Sequence, residues 1–342
     1  FIHQLFASVF ATVAFVAFLA LTPLPAIGSS LTLSALTLIF AGPFWLMRGF
    51  LRYMSFARMQ CGTAVIMDSI ACALQLGGLW LLLQYDAFQL HWAFAIMGGS
   101  SAIVTIGWFA WRPIAFSRPV DSRKDFRENW CFAKWALLSQ MVGCMTPHIF
   151  PWLLKSLQGR TAAGLLGAAN TICGVAVIFS LGIAHLLTPI ASRAFVQEGK
   201  AALLKVLVQT GLFLLATVGL FCLVATFFGE QVMVFVYDGR FSGVGNTLAV
   251  LSLAVLANCL SITCGNGLWA IDRPKLNLYA DGVVLITTLV AALALVSSHG
   301  PLGAAWATLI GNTCGAATRC GVFCYAIRLL PPGPQPQMGA TA

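Results

Sequence analysis

The amino-acid sequence predicts an all-α polytopic membrane protein of about ten transmembrane helices, and three observations carry that prediction. Hydrophobic residues fill 59% of the 342 positions and charged residues only 8%, where a soluble globular domain carries roughly 25% charged residues. The apolar residues also fall in blocks of about 20, the length a helix needs to cross the hydrocarbon core of a bilayer. Finally, the basic residues concentrate on alternate connections between those blocks. With a mean hydropathy of +0.89, a soluble domain, a disordered chain and a disulfide-rich secreted module are all excluded.

The expected spans are 4–22, 31–54, 63–84, 90–111, 129–154, 161–187, 201–228, 244–270, 276–297 and 301–328. Turn-forming pairs separate several of them, as at Pro23-Leu24-Pro25, Gly159-Arg160, Asp238-Gly239 and Arg273-Pro274. Ten-residue alternating patterns are absent, which argues against an outer-membrane barrel. The first run, Phe6 to Leu21, has neither a basic segment before it nor a small-residue cleavage site after it, so it does not read as a signal peptide. Because the sequence begins at Phe1, we expect the natural start to lie upstream.

Charge sets the expected orientation. Of the 19 Lys and Arg residues, only Lys155, Arg160 and Arg240 fall on one side; the rest fall on the side of the chain start. The positive-inside rule then makes this a multi-pass protein of the cell inner (plasma) membrane with both ends cytoplasmic. Topology accounts for the net charge of +9, and the scattered basic residues form no nucleic-acid reading element. Most of the 11 Cys residues lie inside spans, where Cys behaves as a small apolar residue. No metal site is expected.

The longest polar interruption, residues 112–128, divides the chain into a partial N-terminal lobe of four helices (1–111) and a C-terminal lobe of six (129–328). Residues 112–128 read as a cytoplasmic connector, and the proline-rich 329–342 as a disordered tail. An echo links the two parts. Arg58 precedes a helix bearing Asp68, Arg273 precedes one bearing Asp281, and the following span in each part is small and Gly-rich. Internal repeats of this kind are common in transporters.

Several runs carry a resemblance: Phe56-Ala57-Arg58, the stretch from Gly159 to Asn170, Tyr237-Asp238-Gly239-Arg240-Phe241, the stretch from Gly267 to Lys275, and Gly300 to Thr308. They resemble the Wzx-like polysaccharide flippases of the multidrug/oligosaccharidyl-lipid/polysaccharide exporter superfamily. That resemblance implies twelve or fourteen helices in two six-helix lobes around a central cavity, with the first two helices missing here. It also implies a lipid-linked oligosaccharide as substrate, flipped from the cytoplasmic to the outer leaflet by alternating access, with membrane lipids and a coupling ion (H+ or Na+) as partners.

The residues themselves nominate a site, because an ionisable group inside a span costs about 2.5–3.5 kcal/mol on insertion scales and so faces a cavity or a partner. Asp68 and Asp281 each have two readings: a carboxylate paired with a nearby Arg at the rim, or an ion-coupling group. Asp281 could pair with Arg319. Lys134 shares a stripe with Leu137, Leu138 and Met141; it either snorkels to the headgroups or meets a lipid-linked diphosphate. His148 sits between Pro147 and Pro151, which should bend the helix and turn His148 toward a pathway. His185, near Pro189, is a lesser candidate. Asn170, Asn258, Asn266 and Asn312 suit cross-helix bonding, with Asn258 and Asn266 on one face as the better pair for lining. The Gly pairs Gly164/Gly167 and Gly311/Gly315 suit close helix contact.

No GxGxxG, GxSxG, HExxH or phosphate-loop motif occurs, so neither nucleotide nor cofactor binding is expected. The short outer loops hold no carboxylate pair for catalysis, so the chain does not read as an enzyme. A flippase is the first reading. A multidrug or cation antiporter of the same superfamily is the second, and a membrane enzyme of polysaccharide assembly the third.

Overall fold

The computed structural model describes residues 2–21, 29–111 and 122–330. Within them the chain is helical throughout, as α1 (Ile2–Leu21), α2 (Ser29–Ala57), α3 (Cys61–Gln84), α4 (Leu90–Trp111), α5 (Ser122–Glu198), α6 (Lys200–Tyr237), α7 (Gly245–Ala270) and α8 (Pro274–Arg328). Among the described residues, seven helices are long and apolar enough to cross a membrane. Residues 331–342, and with them most of the expected tail, lie outside the described residues, as do 112–121 of the expected connector. Residues 122–128 are described, and they form the first turns of α5; their Arg, Lys and Glu are good helix formers.

Two of the helices are too long for one crossing. At 1.5 Å per residue a straight α5 of 77 residues would run about 115 Å. Glycines resolve this. Gly159 (φ 88°) breaks α5 and Gly300 (φ 55°) breaks α8, both in the left-handed region that a side chain disfavours. Each break falls between two expected spans, and the two breaks meet: the Gln158 amide donates to Val296 O (3.1 Å) and Ser297 O (3.0 Å).

The chain divides into two compact units, Phe1–Phe126 and Arg127–Ala342. In the first, Leu51, Met67, Ala71, Val104 and Trp108 form the core. In the second, one core gathers Leu154, Leu166, Leu214, Met233, Leu248 and Val296, and another Leu187, Leu203, Leu268 and Phe323. Lipid is as apolar as these side chains, so small residues and close contact must hold such helices together. A Cβ on Gly311 would strike Thr288 Oγ1, and one on Gly315 would strike Val284, so these glycines let the two arms of α8 touch. Gly164 and Gly167 do not play this part: nothing lies within 4 Å of a Cβ at either. Only Gly311 and Gly315 have the four-residue spacing that stacks small residues on one helix face.

The internal echo has a backbone counterpart. Where α2 passes to α3, Arg58, Met59 and Gln60 N–H donate to Met54, Phe56 and Ser55 C=O. Where α7 passes to α8, Ile271, Asp272 and Arg273 make the same three bonds to Gly267, Trp269 and Leu268. Met59 (φ 59°) and Asp272 (φ 58°) take the matching left-handed position. Registered on these turns, Asp68 and Asp281 stand at the same depth in α3 and α8. Arg48 corresponds to Ser261, Arg52 to Gly265 and Gly98 to Gly311. This shifts the expected echo: the counterpart of Arg273 is Gln60, two residues past Arg58.

Candidate functional site

The second unit holds a buried polar cluster at the meeting of three helices. Arg319, on the second arm of α8, donates to Asp281 on the first arm and to Ser261 on α7. The Ser139 hydroxyl of α5 donates to the other oxygen of the Asp281 carboxylate. Asp281 is 8% exposed, so water offers the pair little screening. Around it, Asn277 Nδ2 donates to Gly265 O at 3.0 Å. A Cβ on Gly265 would press on Asn277 Oδ1 at 3.2 Å and meet Arg319 Cδ in ordinary contact at 3.6 Å. Arg319 Nε and Asn277 Oδ1 are buried without a hydrogen-bond partner.

In the first unit Asp68 lies at the α2–α3 contact, half-buried, with Arg48 Nη2 at 3.2 Å and Arg52 Nε at 3.1 Å. Both intramembrane carboxylates are therefore neutralised by arginine.

The first arm of α5 carries a different surface. Lys134, Met141, Met145, His148 and Trp152 recur at intervals of three, four and seven residues and so follow one helical stripe. Met141, Met145 and Trp152 are 57%, 56% and 72% exposed, so this stripe is not packed into the unit's own core. His148 is exposed and lines an open groove of about 820 Å³ with Cys144, Met145, Ile149, Trp152, Leu153 and Ser156. Lys134 is half-buried and has no ion-pair partner among the described residues.

The asparagines separate. Asn266 is buried, donates to Ile262 O at 2.9 Å and accepts from Thr188, and Asn312 donates to Ala254 O at 2.9 Å. Both bond across helices, Asn266 to α5 and Asn312 to α7. Asn258 is half-buried and Asn170 exposed. His185 is half-buried on α5.

Sequence reasoning missed Ser139 and Ser261, because Ser in an apolar span carries no signal of its own. It also missed the contact of Cys264 and Cys320, whose Sγ atoms are 3.1 Å apart. The motif Tyr237-Asp238-Gly239-Arg240-Phe241 is a turn. Asp238 closes α6 in the left-handed region, the Tyr237 and Phe241 rings stack edge-on at 5.0 Å, and the Glu230 carboxylate accepts from Gly243 N–H (2.5 Å) and Gly245 N–H (2.8 Å).

These features define a helical protein with helices long and apolar enough to cross a membrane several times. Its fold is similar to that of solved MATE transporters. A Vibrio cholerae MATE transporter, VcmN, matches 96% of this chain and 77% of its own with a TM-score of 0.81 and 14% identity. An outward-facing multidrug resistance MATE family transporter of the MOP superfamily matches 95% of this chain and 77% of its own, with a TM-score of 0.72 and 17% identity. In sequence the chain is 20% identical over 261 residues to a probable low-salt glycan biosynthesis flippase, Agl15, of Haloferax volcanii. That match covers 74% of this chain and 53% of the relative, so the chain spans about half the relative's length. No known family profile matches the sequence.

Proposed function

We propose that the protein flips a lipid-linked oligosaccharide from the cytoplasmic to the outer leaflet by alternating access. The observation that carries this reading is the state of the charges. Asp68 and Asp281 are each bound to arginine, while Lys134 stands at one end of an exposed stripe without a carboxylate partner among the described residues. A cation exporter requires carboxylates free to take up its cargo; an anionic headgroup requires a free cation. A charged, hydrated headgroup cannot cross about 30 Å of hydrocarbon unaided. The stripe offers it Lys134 for phosphate and, about 21 Å further along the helix, His148 and Trp152 for sugar. The resemblance to a named glycan flippase agrees with this. Asn170, Asn258 and Asn266 and the Asp281–Arg319 cluster then belong to the scaffold or its switching, with Asp68 and Asp281 as the groups an ion gradient could address.

A second reading, multidrug or cation antiport, is favoured by the fold shared with MATE transporters. Complementation separates the two. In a flippase-deficient strain the protein restores surface polysaccharide, Lys134→Ala abolishes the rescue at equal expression, and Lys134→Arg restores part of it, since both supply a cation but differ in geometry. Undiminished rescue by the Ala variant would return Lys134 to the headgroups as an anchor.

A further inference from the structure

Two of the buried thiols have oxygen partners. The Cys222 thiol donates to Ser252 O at 3.0 Å, and Cys259 Sγ lies 3.0 Å from Ser180 Oγ. Cys264 of α7 and Cys320 on the second arm of α8 differ in both partner and burial. Their Sγ atoms face each other at 3.1 Å, and both residues are half-buried.

Contacts on either side hold the two helices at this register. Three residues before Cys264, the Ser261 hydroxyl accepts from Arg319, which directly precedes Cys320. Three residues after Cys264, Gly267 lies against Phe323, itself three residues after Cys320; a Cβ on Gly267 would come within 2.7 Å of the Phe323 ring. Gly265 and Gly267 flank the thiol with no side chains of their own, which lets α7 approach its neighbour closely. The thiol pair therefore sits inside a packed helix contact. A disulfide holds its sulfurs at about 2.05 Å, so bonding needs an approach of about 1 Å.

The reaction this pair is arranged for needs an oxidant, and inside an apolar span a neutral one is favoured. A hydroperoxide meets that need. Attack by one sulfur breaks the O–O bond, releases an alcohol (water, from hydrogen peroxide) and leaves a sulfenic acid. The second thiol then displaces water and the S–S bond forms. The two thiols together give up two electrons and two protons, and these reduce the peroxide.

We propose that Cys264 and Cys320 are an oxidisable dithiol, which a hydroperoxide converts to a disulfide that staples α7 to the second arm of α8. The arm carrying Arg319 then cannot leave Ser261, and the buried cluster is held closed until a thiol reductant opens the bond. The site stands independently of the substrate. Hydrogen peroxide from water and a peroxidised acyl chain from the bilayer share the reacting O–O group, so the test uses one probe for each.

Reduced, purified protein in detergent is treated with hydrogen peroxide or with cumene hydroperoxide, an apolar stand-in for an oxidised lipid. Remaining thiols are alkylated, and the peptides are read by mass spectrometry. The expected product is an intramolecular Cys264–Cys320 link that dithiothreitol reverses. It forms before the exposed Cys72, Cys131, Cys144 and Cys324 pair with anything, and the faster probe identifies the source. Oxidation raises the melting temperature by about 5 °C. Cys264→Ser and Cys320→Ser each lose that rise, Cys324→Ser keeps it, and melting of the reduced variants checks that all are folded. Absence of the linked peptide with both probes, or equal linkage through Cys324, would overturn the site. A link that leaves the melting temperature unchanged would overturn the staple.

Discussion

The two units place an aspartate at the same depth after the same turn and neutralise it from opposite directions. In the first unit the cations come from the preceding helix, with Arg48 and Arg52 on α2 reaching Asp68. In the second unit those two positions are Ser261 and Gly265, and the cation comes from the arm that follows, as Arg319. Gly265 carries no side chain of its own, and Arg319 lies beside it. The two solutions differ in consequence. Asp68 is half-buried with two arginines in reach, so losing one leaves the other. Asp281 is buried and has one arginine, and that pair joins the two arms of α8, with Ser139 of α5 donating to the aspartate and Ser261 of α7 accepting from the arginine. One charge cluster is redundant, and the other is a single knot.

The comparison can be broken most severely at Arg319. Arg319→Leu leaves the Asp281 carboxylate buried without its cation, which should cost about 3–5 kcal/mol, read as a large fall in melting temperature in detergent. Adding Asp281→Leu should recover most of it, since a buried pair is often replaceable by apolar residues of similar volume. A small effect of the single variant would mean that the cluster is more hydrated than its burial states.

The next largest effect concerns the packing that presents the cluster. Gly311→Leu should cost roughly 1–3 kcal/mol through the clash with Thr288, whereas Gly164→Leu, with open space around it, should change stability by less than about 0.5 kcal/mol. Comparable losses for both would contradict the assignment of close contact to the α8 pair alone.

The smallest effect belongs to the first unit. Asp68→Asn should cost about 1 kcal/mol, since the cluster is only half-buried, and added salt should shrink that loss in part. A loss matching that of Arg319→Leu would erase the distinction between the two clusters.

Much of this was legible in the sequence, and the parts that were not have physical reasons. Hydropathy gives the spans because a helix in lipid must be apolar over its whole crossing, and Asp281 with Arg319 could be paired in advance because each is too costly alone in a span. Cys264 could not be joined to Cys320, because residues 56 positions apart are brought together only by tertiary packing. Ser139 and Ser261 were equally invisible, since most span hydroxyls bond their own helix, as Ser55 does to Leu51 O and Thr210 to Val206 O. The substitution of Ser261 and Gly265 for Arg48 and Arg52 emerged only when the turns fixed the register, because the expected echo, aligned on Arg58 and Arg273, was two residues out.

The central claim is that the free charge along the pathway suits an anionic, lipid-linked headgroup. The most direct measurement is translocation by the protein in proteoliposomes, comparing a fluorescent lipid-linked oligosaccharide with a cationic dye. The account predicts that the protein moves the oligosaccharide lipid between leaflets, that Lys134→Ala slows this at least tenfold, and that the dye is not transported. Transport of the dye against a proton or sodium gradient, with the oligosaccharide lipid left in its original leaflet, would contradict it.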